Sequence, residues 1–269
     1  MMFSEKIKNY VIKHFFELAQ ISVDEIDDGL TSSDETIALC RQLAAEGCVL
    51  VENNGVLPIS VEENIAVFGR CQKDYFYVGY GSGGDVKPPY KISPITAMQE
   101  AGLNIDEEVL EEYVTWCARN VPDDGAWGNW PMNYPEMPVS LSVIRKSAQK
   151  CKKAIVIIGR SAGEDRETKK QPGSWYLTSV EEDLIKKVSS EFDKVCVVLN
   201  CGAIFDTSWI KKYNIDAVLY AWQGGQESGR ALVDVLTGKV NPCGKLTDTV
   251  APIEKYPSTE NFGNKKNQP

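Results

Sequence analysis

The chain has 269 residues, 43% of them hydrophobic and 25% charged, and a formal net charge of −9. This composition predicts a globular protein with one large domain or two small ones. The acidic balance disfavours a nucleic-acid partner, and no apolar run reaches the roughly 18 residues of a membrane span. The first residues, "MMFSEKIKNYVIKHFFELAQ", lack the apolar core of a signal peptide.

The first predicted element is a helix over residues 5–20, whose apolar and aromatic side chains recur at helical spacing: Ile7, Tyr10, Val11, His14, Phe15 and Leu18. An acidic connector follows, and the two make up a leading segment of residues 1–33. The next predicted helix opens with Ser32 and Glu35 at capping-box spacing and closes on Gly47. "CVLVENNGVLP" then predicts a strand with a turn, and "NIAVFGR" predicts a second strand.

Two more helices are predicted before residue 121. One starts at Ser93 and Pro94, an N-cap and first-turn pairing, and the other covers "DEEVLEEYVTWCARN". Residues 121–140 hold four prolines and three large aromatic residues, Trp127, Trp130 and Tyr134. So many aromatics predict an ordered irregular loop. Its aromatic residues are predicted either to line a contact surface or cleft mouth, or to form a local cover over the sheet.

After residue 140 strands and helices alternate. "AIVIIG", "KVCVVLNCG" and "AVLYAWQ" predict strands, and "TSVEEDLIKKVSSEF" and "GQESGRALVDVLTG" predict helices. Thr178 and Glu181 form a capping box at the start of the first of these helices. Strands that are apolar at every position are buried on both faces. The fold class is therefore α/β, a mostly parallel sheet covered by helices on both faces.

Ligands of such sheets bind beyond the carboxyl ends of the strands, which here are followed by residues 69–90, 159–176, 200–206 and 223–227. In the second of these loops Arg160 and Arg166 accompany three carboxylates, Glu164, Asp165 and Glu167. A carboxyl among other anions, and partly buried by Trp175, would have a raised pKa suited to a general acid. A solvated loop with internal ion pairs is the alternative, and composition alone favours it.

Other chemistries lack their motifs. "YGSGGDVKPPY" does not have the spacing of a dinucleotide-binding loop, and neither a Walker motif nor a nucleophile elbow occurs. The single histidine, His14, and eight cysteines without C-x-x-C spacing disfavour a catalytic triad and a zinc site. We therefore predict no cofactor and no metal. The cysteines are interpreted as reduced thiols packed as small apolar groups, which favours a cytoplasmic location.

Several of these motifs resemble family 3 glycoside hydrolases. "ALCRQLAAEGCVLVENNGVLPI", "NIAVFGR" followed by "GYGSGGDVKPP", "VVLNCG" and "YPSTENFG" are similar to stretches of that family's α/β sandwich domain. The most specific stretch is "GQESGRALVDVLTGKVNPCGKL", in which Cys243 stands where the family usually has serine. The resemblance covers about residues 34–264, so it implies that this range is the α/β sandwich domain of such an enzyme.

The resemblance implies a retaining β-glycosidase, typically a β-glucosidase, with two carboxylates. The nucleophile is an aspartate on a (β/α)8 barrel, and the acid/base is a glutamate of the α/β domain. "AGEDRE" stands where relatives read "G-E-G-x-D-R", so Glu164 is the acid/base candidate. Asp165 replaces the usual glycine, which leaves Asp165 or Glu167 as alternatives. Ser82 and Trp175 are implied to contact substrate, although Ser82 fits a simple turn equally well.

A barrel needs about 200–250 further residues, so the nucleophile is expected to lie outside this chain and the chain alone to be inactive. The implied partners are a β-linked glucoside or oligosaccharide and the barrel domain. Because permuted family members place the α/β domain first, residues 265–269 are interpreted as a truncated tail or linker toward a barrel. Two alternatives stay open, a non-catalytic carbohydrate-binding or scaffold module and an unrelated doubly wound binding domain.

Overall fold

A computed structural model describes residues 33–81, 84, 86, 88–123, 125, 130–164 and 168–255. The predicted helix over residues 5–20, its connector and residues 265–269 lie outside these described residues. So do further residues that the sequence singled out: Ser32, Ser82, Trp127, Asp165, Arg166 and Glu167.

Six strands form one sheet in the order β1-β6-β5-β4-β2-β3. They are β1 Val49–Asn53, β2 Asn64–Phe68, β3 Asn104–Ile105, β4 Lys153–Arg160, β5 Lys194–Cys201 and β6 Ala217–Tyr220. Only the β1–β6 pair is antiparallel among these strand pairs, and the other four are parallel. The predicted mostly parallel sheet is confirmed, with an antiparallel strand at one edge.

Seven α-helices accompany the sheet in the described part of the chain. They are α1 Asp34–Glu46, α2 Pro94–Glu100, α3 Glu107–Arg119, α4 Leu141–Ala148, α5 Ser179–Glu191, α6 Ser208–Lys212 and α7 Ser228–Leu236. The sequence predicted five of them and missed α4 and α6. None of the described helices has the length and apolar character needed to cross a bilayer.

The helices divide between the two faces of the sheet, and β4 shows how. Its Ala154, Val156 and Ile158 belong to the core that includes residues of α3 to α6. Ile155 and Ile157 belong to the opposite core, which includes residues of α1, α2 and α7. Successive side chains of a strand point to opposite faces, so one wholly apolar strand serves both cores. The predicted cover of helices on both faces is thereby confirmed.

Two helix starts test the capping predictions. At α5 the Thr178 hydroxyl accepts from the Glu181 amide, and the Glu181 carboxylate accepts from the Thr178 amide, as predicted. At α1 the N-cap is Ser33, whose hydroxyl accepts from the Thr36 amide at 3.2 Å. The predicted Ser32–Glu35 capping box is therefore wrong by one residue, because Ser33 offers the same hydroxyl one position later.

Candidate active site

Two loops at the carboxyl edge of the sheet are joined by backbone hydrogen bonds. We call residues 69–93 the β2 loop and residues 161–178 the β4 loop. The Tyr80 amide donates to the Ala162 carbonyl at 2.8 Å, and the Glu164 amide donates to the Tyr80 carbonyl at 3.0 Å. Since β2 and β4 are parallel neighbours, their loops leave the sheet side by side. The structure thus brings Tyr80 and Gly81 next to the predicted acid/base.

Glycines make this approach possible. Gly163 has φ of 140°, and a Cβ there would lie 1.9 Å from the Tyr80 carbonyl oxygen. Gly81 has φ of 120°, and a Cβ there would lie 2.4 Å from the Glu164 Cβ and 3.1 Å from its Oε2. Any larger residue at either position would push the two loops apart. Because Gly81 has no side chain, the Glu164 side chain can lie directly against it.

Glu164 is exposed at this edge of the sheet. Trp175, by contrast, is 2% exposed and belongs to the core shared with α3 to α6. Its predicted contacts with a loop carboxyl and with substrate stay predictions. Ser82, Asp165 and Glu167 are outside the described residues, and their predicted roles are untested.

The base of the β4 loop is fixed by a buried ion pair. The Arg160 guanidinium donates to both Glu181 oxygens at 2.7 and 2.8 Å, and the two side chains are 3% and 4% exposed. It also donates to the carbonyls of Ser174 at 3.1 Å and Tyr176 at 3.2 Å. Burial lowers the pKa of Arg160, but the ion pair outweighs this and raises it. These contacts join the residue just before the β4 loop to residues near the end of that loop.

This placement corrects one sequence prediction and adds to another. Arg160 was assigned to the charged loop beside Glu164, but it is the last residue of β4 and lies inside the fold. Glu181 was predicted only as the capping residue of α5, and the structure adds its pairing with Arg160. A buried guanidinium requires a paired carboxylate, and the capping carboxylate is within reach.

Two pairs of stacked aromatic rings pack at Tyr80. The rings of Tyr80 and Trp130 are stacked at 5.4 Å, and those of Phe76 and Tyr134 at 4.4 Å. The Tyr80 and Tyr134 hydroxyls are hydrogen bonded at 3.0 Å. Trp130 is 6% exposed, so for this residue the structure favours the local cover over the exposed contact surface. The stack holds the residue whose carbonyl binds the Glu164 amide.

Asn200, near the end of β5, binds the β2 loop and the segment after β6 at the same edge of the sheet. Its side-chain amide donates to the carbonyls of Phe76 and Trp222, each at 2.7 Å, and its oxygen accepts from the Phe76 amide at 2.8 Å. The residues after β2 and β6 are thus anchored on the end of β5. The sequence analysis did not single out this residue. An asparagine at the end of an otherwise apolar strand was the available signal.

Glu136 is another residue that no sequence motif pointed to. Its two oxygens accept from the Arg70 amide at 2.7 Å, the Met137 amide at 2.8 Å and the Tyr113 hydroxyl at 3.2 Å. Burial raises the pKa of Glu136 to about 7, although the two amides lower it. Glu136 thus connects α3, which holds Tyr113, with Arg70 just after β2.

The described residues offer no group of three or more His, Cys, Asp or Glu side chains that would hold a metal ion. The eight cysteines are free thiols, and six of them are buried, which agrees with the predicted packing. Cys40 and Cys243 depart from it, because they are exposed. Burial raises the pKa of Cys196 and of Cys201 to about 12, so these two thiols are unreactive at neutral pH.

Residues 48–269 match the sequence profile of the glycosyl hydrolase family 3 C-terminal domain. The chain belongs to this family. The resemblance in its motifs is thus confirmed over most of the chain, and the unrelated doubly wound binding domain is excluded.

Named relatives agree with this membership. The chain is 42% identical over 235 residues to a β-glucosidase of Ruminococcus albus, covering 86% of this chain and 25% of the relative. It is 35% identical to β-glucosidase A of Butyrivibrio fibrisolvens, covering 90% of this chain and 32% of the relative. The chain therefore spans about a quarter to a third of the curated relatives that it matches.

Solved structures share the fold. A β-glucosidase from Paenibacillus barengoltzii superposes with a TM-score of 0.83 at 40% identity, covering 87% of this chain and 26% of that one. β-Glucosidase 3B from Thermotoga neapolitana in complex with glucose superposes with a TM-score of 0.70 at 36% identity, covering 78% and 30%. In both cases the match is to a part of a longer enzyme chain.

Proposed function

We propose that this domain supplies the general acid/base of a retaining β-glycosidase, and that Glu164 is that residue. The observation that carries the proposal is the contact of the two loops, in which Tyr80 fixes the Glu164 backbone and Gly81 makes room for its side chain. An exposed carboxyl on a fixed loop is suited to reach a leaving-group oxygen. The position matches the glutamate of the family's motif.

The proposed nucleophile is an aspartate of a (β/α)8 barrel outside this chain. It attacks the anomeric carbon while Glu164 protonates the leaving oxygen, with the two carboxyl groups about 5–5.5 Å apart. The Glu164 carboxylate then accepts a proton from water, which releases the sugar with retained configuration. On this proposal the chain by itself hydrolyses nothing, because one of the two carboxylates is missing.

The proposed substrate is a β-linked glucoside or oligosaccharide. The support is that the named relatives are β-glucosidases and that one solved relative holds glucose. Ser82 is proposed to contact that substrate, because it follows Gly81, which lies against Glu164. We also propose a cytoplasmic location, with which the free thiols agree. A non-catalytic carbohydrate-binding module remains the competing function, since Asp165 departs from the family's glycine.

A chimera tests the assignment. This domain would replace its counterpart in the Ruminococcus albus β-glucosidase, which supplies the barrel, and the isolated domain would serve as the inactive control. Glu164→Gln should lower the rate on substrates with poor leaving groups by about 10²–10⁴-fold, because only these need protonation. With activated aryl glucosides the glycosyl-enzyme should accumulate, since deglycosylation has lost its base. Azide needs no base, so it should restore turnover and yield a β-glucosyl azide.

Asp165→Asn and Glu167→Gln are the matched controls and should show neither accumulation nor azide rescue. Rescue in one of these two variants, with Glu164→Gln unaffected, would move the acid/base role to that residue. A chimera that binds glucoside and turns it over equally in all three variants would leave the domain as a non-catalytic module.

A further inference from the structure

The first described helix is poorly covered. Only Ala45 is buried among the thirteen residues of α1, whereas eight of the nine residues of α7 are buried. Leu39 and Leu43 of α1 are 54% and 59% exposed. Two large aliphatic side chains one turn apart form an apolar stripe, which in a helix of a folded domain normally faces another element.

An ion pair with α7 fixes the orientation of α1, so the apolar stripe stays exposed on the described part of the domain. The Arg41 guanidinium donates to both Asp234 oxygens at 2.6 and 2.7 Å, which ties α1 to α7 on one side. An apolar groove with a volume of about 520 Å³ lies beside α1. Its walls include Ile37, Cys40, Leu43 and Ala44 of α1, and Val86 and Pro88 of the β2 loop.

The chain itself offers an occupant. The 32 residues before Ser33 join α1 directly, and the sequence predicts an amphipathic helix over residues 5–20. At about 1.5 Å per residue such a helix is about 24 Å long, and α1 is about 20 Å long. The connector from residue 21 to residue 33 exceeds the 2–8 residues that usually join packed helices, so it is long enough to turn back.

Charge also fits this occupant. The exposed surface of α1 carries Asp34, Glu35 and Glu46, and its arginine is already paired with α7. The predicted helix over residues 5–20 carries three lysines against two glutamates, a net charge of +1: Lys6, Lys8 and Lys13 against Glu5 and Glu17. A segment tethered at the end of α1 is also present at a much higher effective concentration than any separate molecule.

We propose that residues 5–20 fold back antiparallel to α1 and fill this groove with their apolar stripe, covering Leu43 and Cys40. The proposal does not depend on the catalytic function of the domain. A second copy of the chain and a separate domain are the other occupants that the groove would accept, and the experiment distinguishes them.

The two exposed cysteines are built-in probes, because the other six are buried. The complete 269-residue chain is pulsed with N-ethylmaleimide under native conditions, and the modification of each cysteine is followed by mass spectrometry. Cys40 should react at least about tenfold faster in Phe15→Ser/Leu18→Ser than in the unmodified chain, since a covered thiol reacts only from opened states. Cys243 should react equally in both chains, which makes it the internal reference.

A matched control changes the opposite face of the predicted helix. Lys13→Ser/Glu17→Ser leaves net charge and the apolar stripe unaltered, so Cys40 should stay protected. Leu43→Ser attacks the groove from the other side and should expose Cys40 even if the first variant misfolds. Equal Cys40 rates in the unmodified chain and both stripe variants would overturn the proposal. Protection that disappears on dilution would overturn it in favour of a second copy.

Discussion

The same dipeptide, Gly-Arg, directly follows β2 and ends the neighbouring strand β4, and the two buried arginines have different partners. Arg70 follows β2 and is 1% exposed, and Arg160 ends β4 and is 3% exposed. Both glycines are sterically required. A Cβ on Gly69 would lie 2.2 Å from the Ile157 carbonyl oxygen, and one on Gly159 would lie 2.4 Å from the Cys71 sulfur.

The partners of the two guanidinium groups differ. Arg160 is paired with both oxygens of one buried carboxylate, Glu181. Arg70 binds Asp74 at 2.8 Å and the carbonyls of Pro135 and Asn120, and it lies over the ring of Trp116 at 5.0 Å. Arg160 likewise donates to backbone carbonyls and lies over a ring, that of Phe205 at 5.3 Å. The difference is that Arg160 contacts both oxygens of a carboxylate that is 4% exposed, whereas Arg70 contacts one oxygen of a carboxylate that is 17% exposed.

The neighbouring carboxyls differ accordingly. Glu181 has a cation in contact, whereas Glu136 receives only the backbone amide of Arg70, a second amide and a hydroxyl. Without a contacting cation, burial raises the pKa of Glu136 to about 7. Glu136 therefore makes the end of β2 sensitive to pH.

The largest effect is expected at the buried pair. Arg160→Met leaves Glu181 buried without its cation, which should lower the free energy of unfolding by about 3–5 kcal/mol. The measurement is urea unfolding followed by circular dichroism. Lys212→Met is the matched control, because it breaks an ion pair whose lysine side chain is 59% exposed and should therefore cost far less.

Arg160→Met/Glu181→Gln should recover part of that loss. Glutamine removes the uncompensated charge and keeps an oxygen for the Thr178 amide. If Arg160→Met costs no more than Lys212→Met, the buried pair contributes nothing beyond a surface pair, and the contrast between the two arginines disappears.

The second effect concerns pH and Glu136. Between pH 4.5 and 7 the folded chain holds a proton on Glu136 that the unfolded chain has lost, so stability falls as the pH rises through this window. The shift corresponds to a loss of about 3 kcal/mol at most, since one pKa unit is worth about 1.4 kcal/mol. Urea unfolding of the unmodified chain and of Glu136→Gln at a series of pH values measures it.

Glu136→Gln should flatten this pH dependence, because it cannot ionise. The control is Glu112→Gln on the exposed side of α3, which should leave the pH profile of the unmodified chain unchanged. A slope through this window that persists in Glu136→Gln would assign the proton to another group.

The fold was largely predictable from sequence because its central strands are apolar at every position and its longer helices carry caps. The short elements β3, α4 and α6 were missed. They contain two, eight and five residues, too few for a clear period. The edge strand β1 was predicted, but its antiparallel direction depends on its pairing with β6, which no local pattern encodes.

The candidate site was predictable only in part. The motif around Glu164 pointed to the loop after β4, and the structure adds that Gly81 lies against the Glu164 side chain. Arg160 looked like a loop charge because its partner, Glu181, is 21 residues away and already had a role as a cap. Glu136 stands in a proline-rich loop without periodicity. Its burial comes from contacts across the fold that the sequence does not display.

The smallest effect, and the sharpest test of the comparison, is expected at Asp74. Asp74→Asn removes the only carboxylate that contacts the Arg70 guanidinium in the described structure, yet the side chain keeps an oxygen that accepts a hydrogen bond. Arg70 also keeps its two carbonyl partners and the ring of Trp116, so the loss should be about 1 kcal/mol. Lys73→Met, which removes a 3.9 Å contact to the same aspartate, should change stability by less. Glu181→Gln, measured in the same urea series, should cost several times more than Asp74→Asn, because Glu181 is 4% exposed and accepts two hydrogen bonds from its arginine, whereas Asp74 is 17% exposed and accepts one. Equal losses for Asp74→Asn and Glu181→Gln would mean that each buried arginine depends on its carboxylate to the same degree, and the contrast between the two arginines would then be wrong.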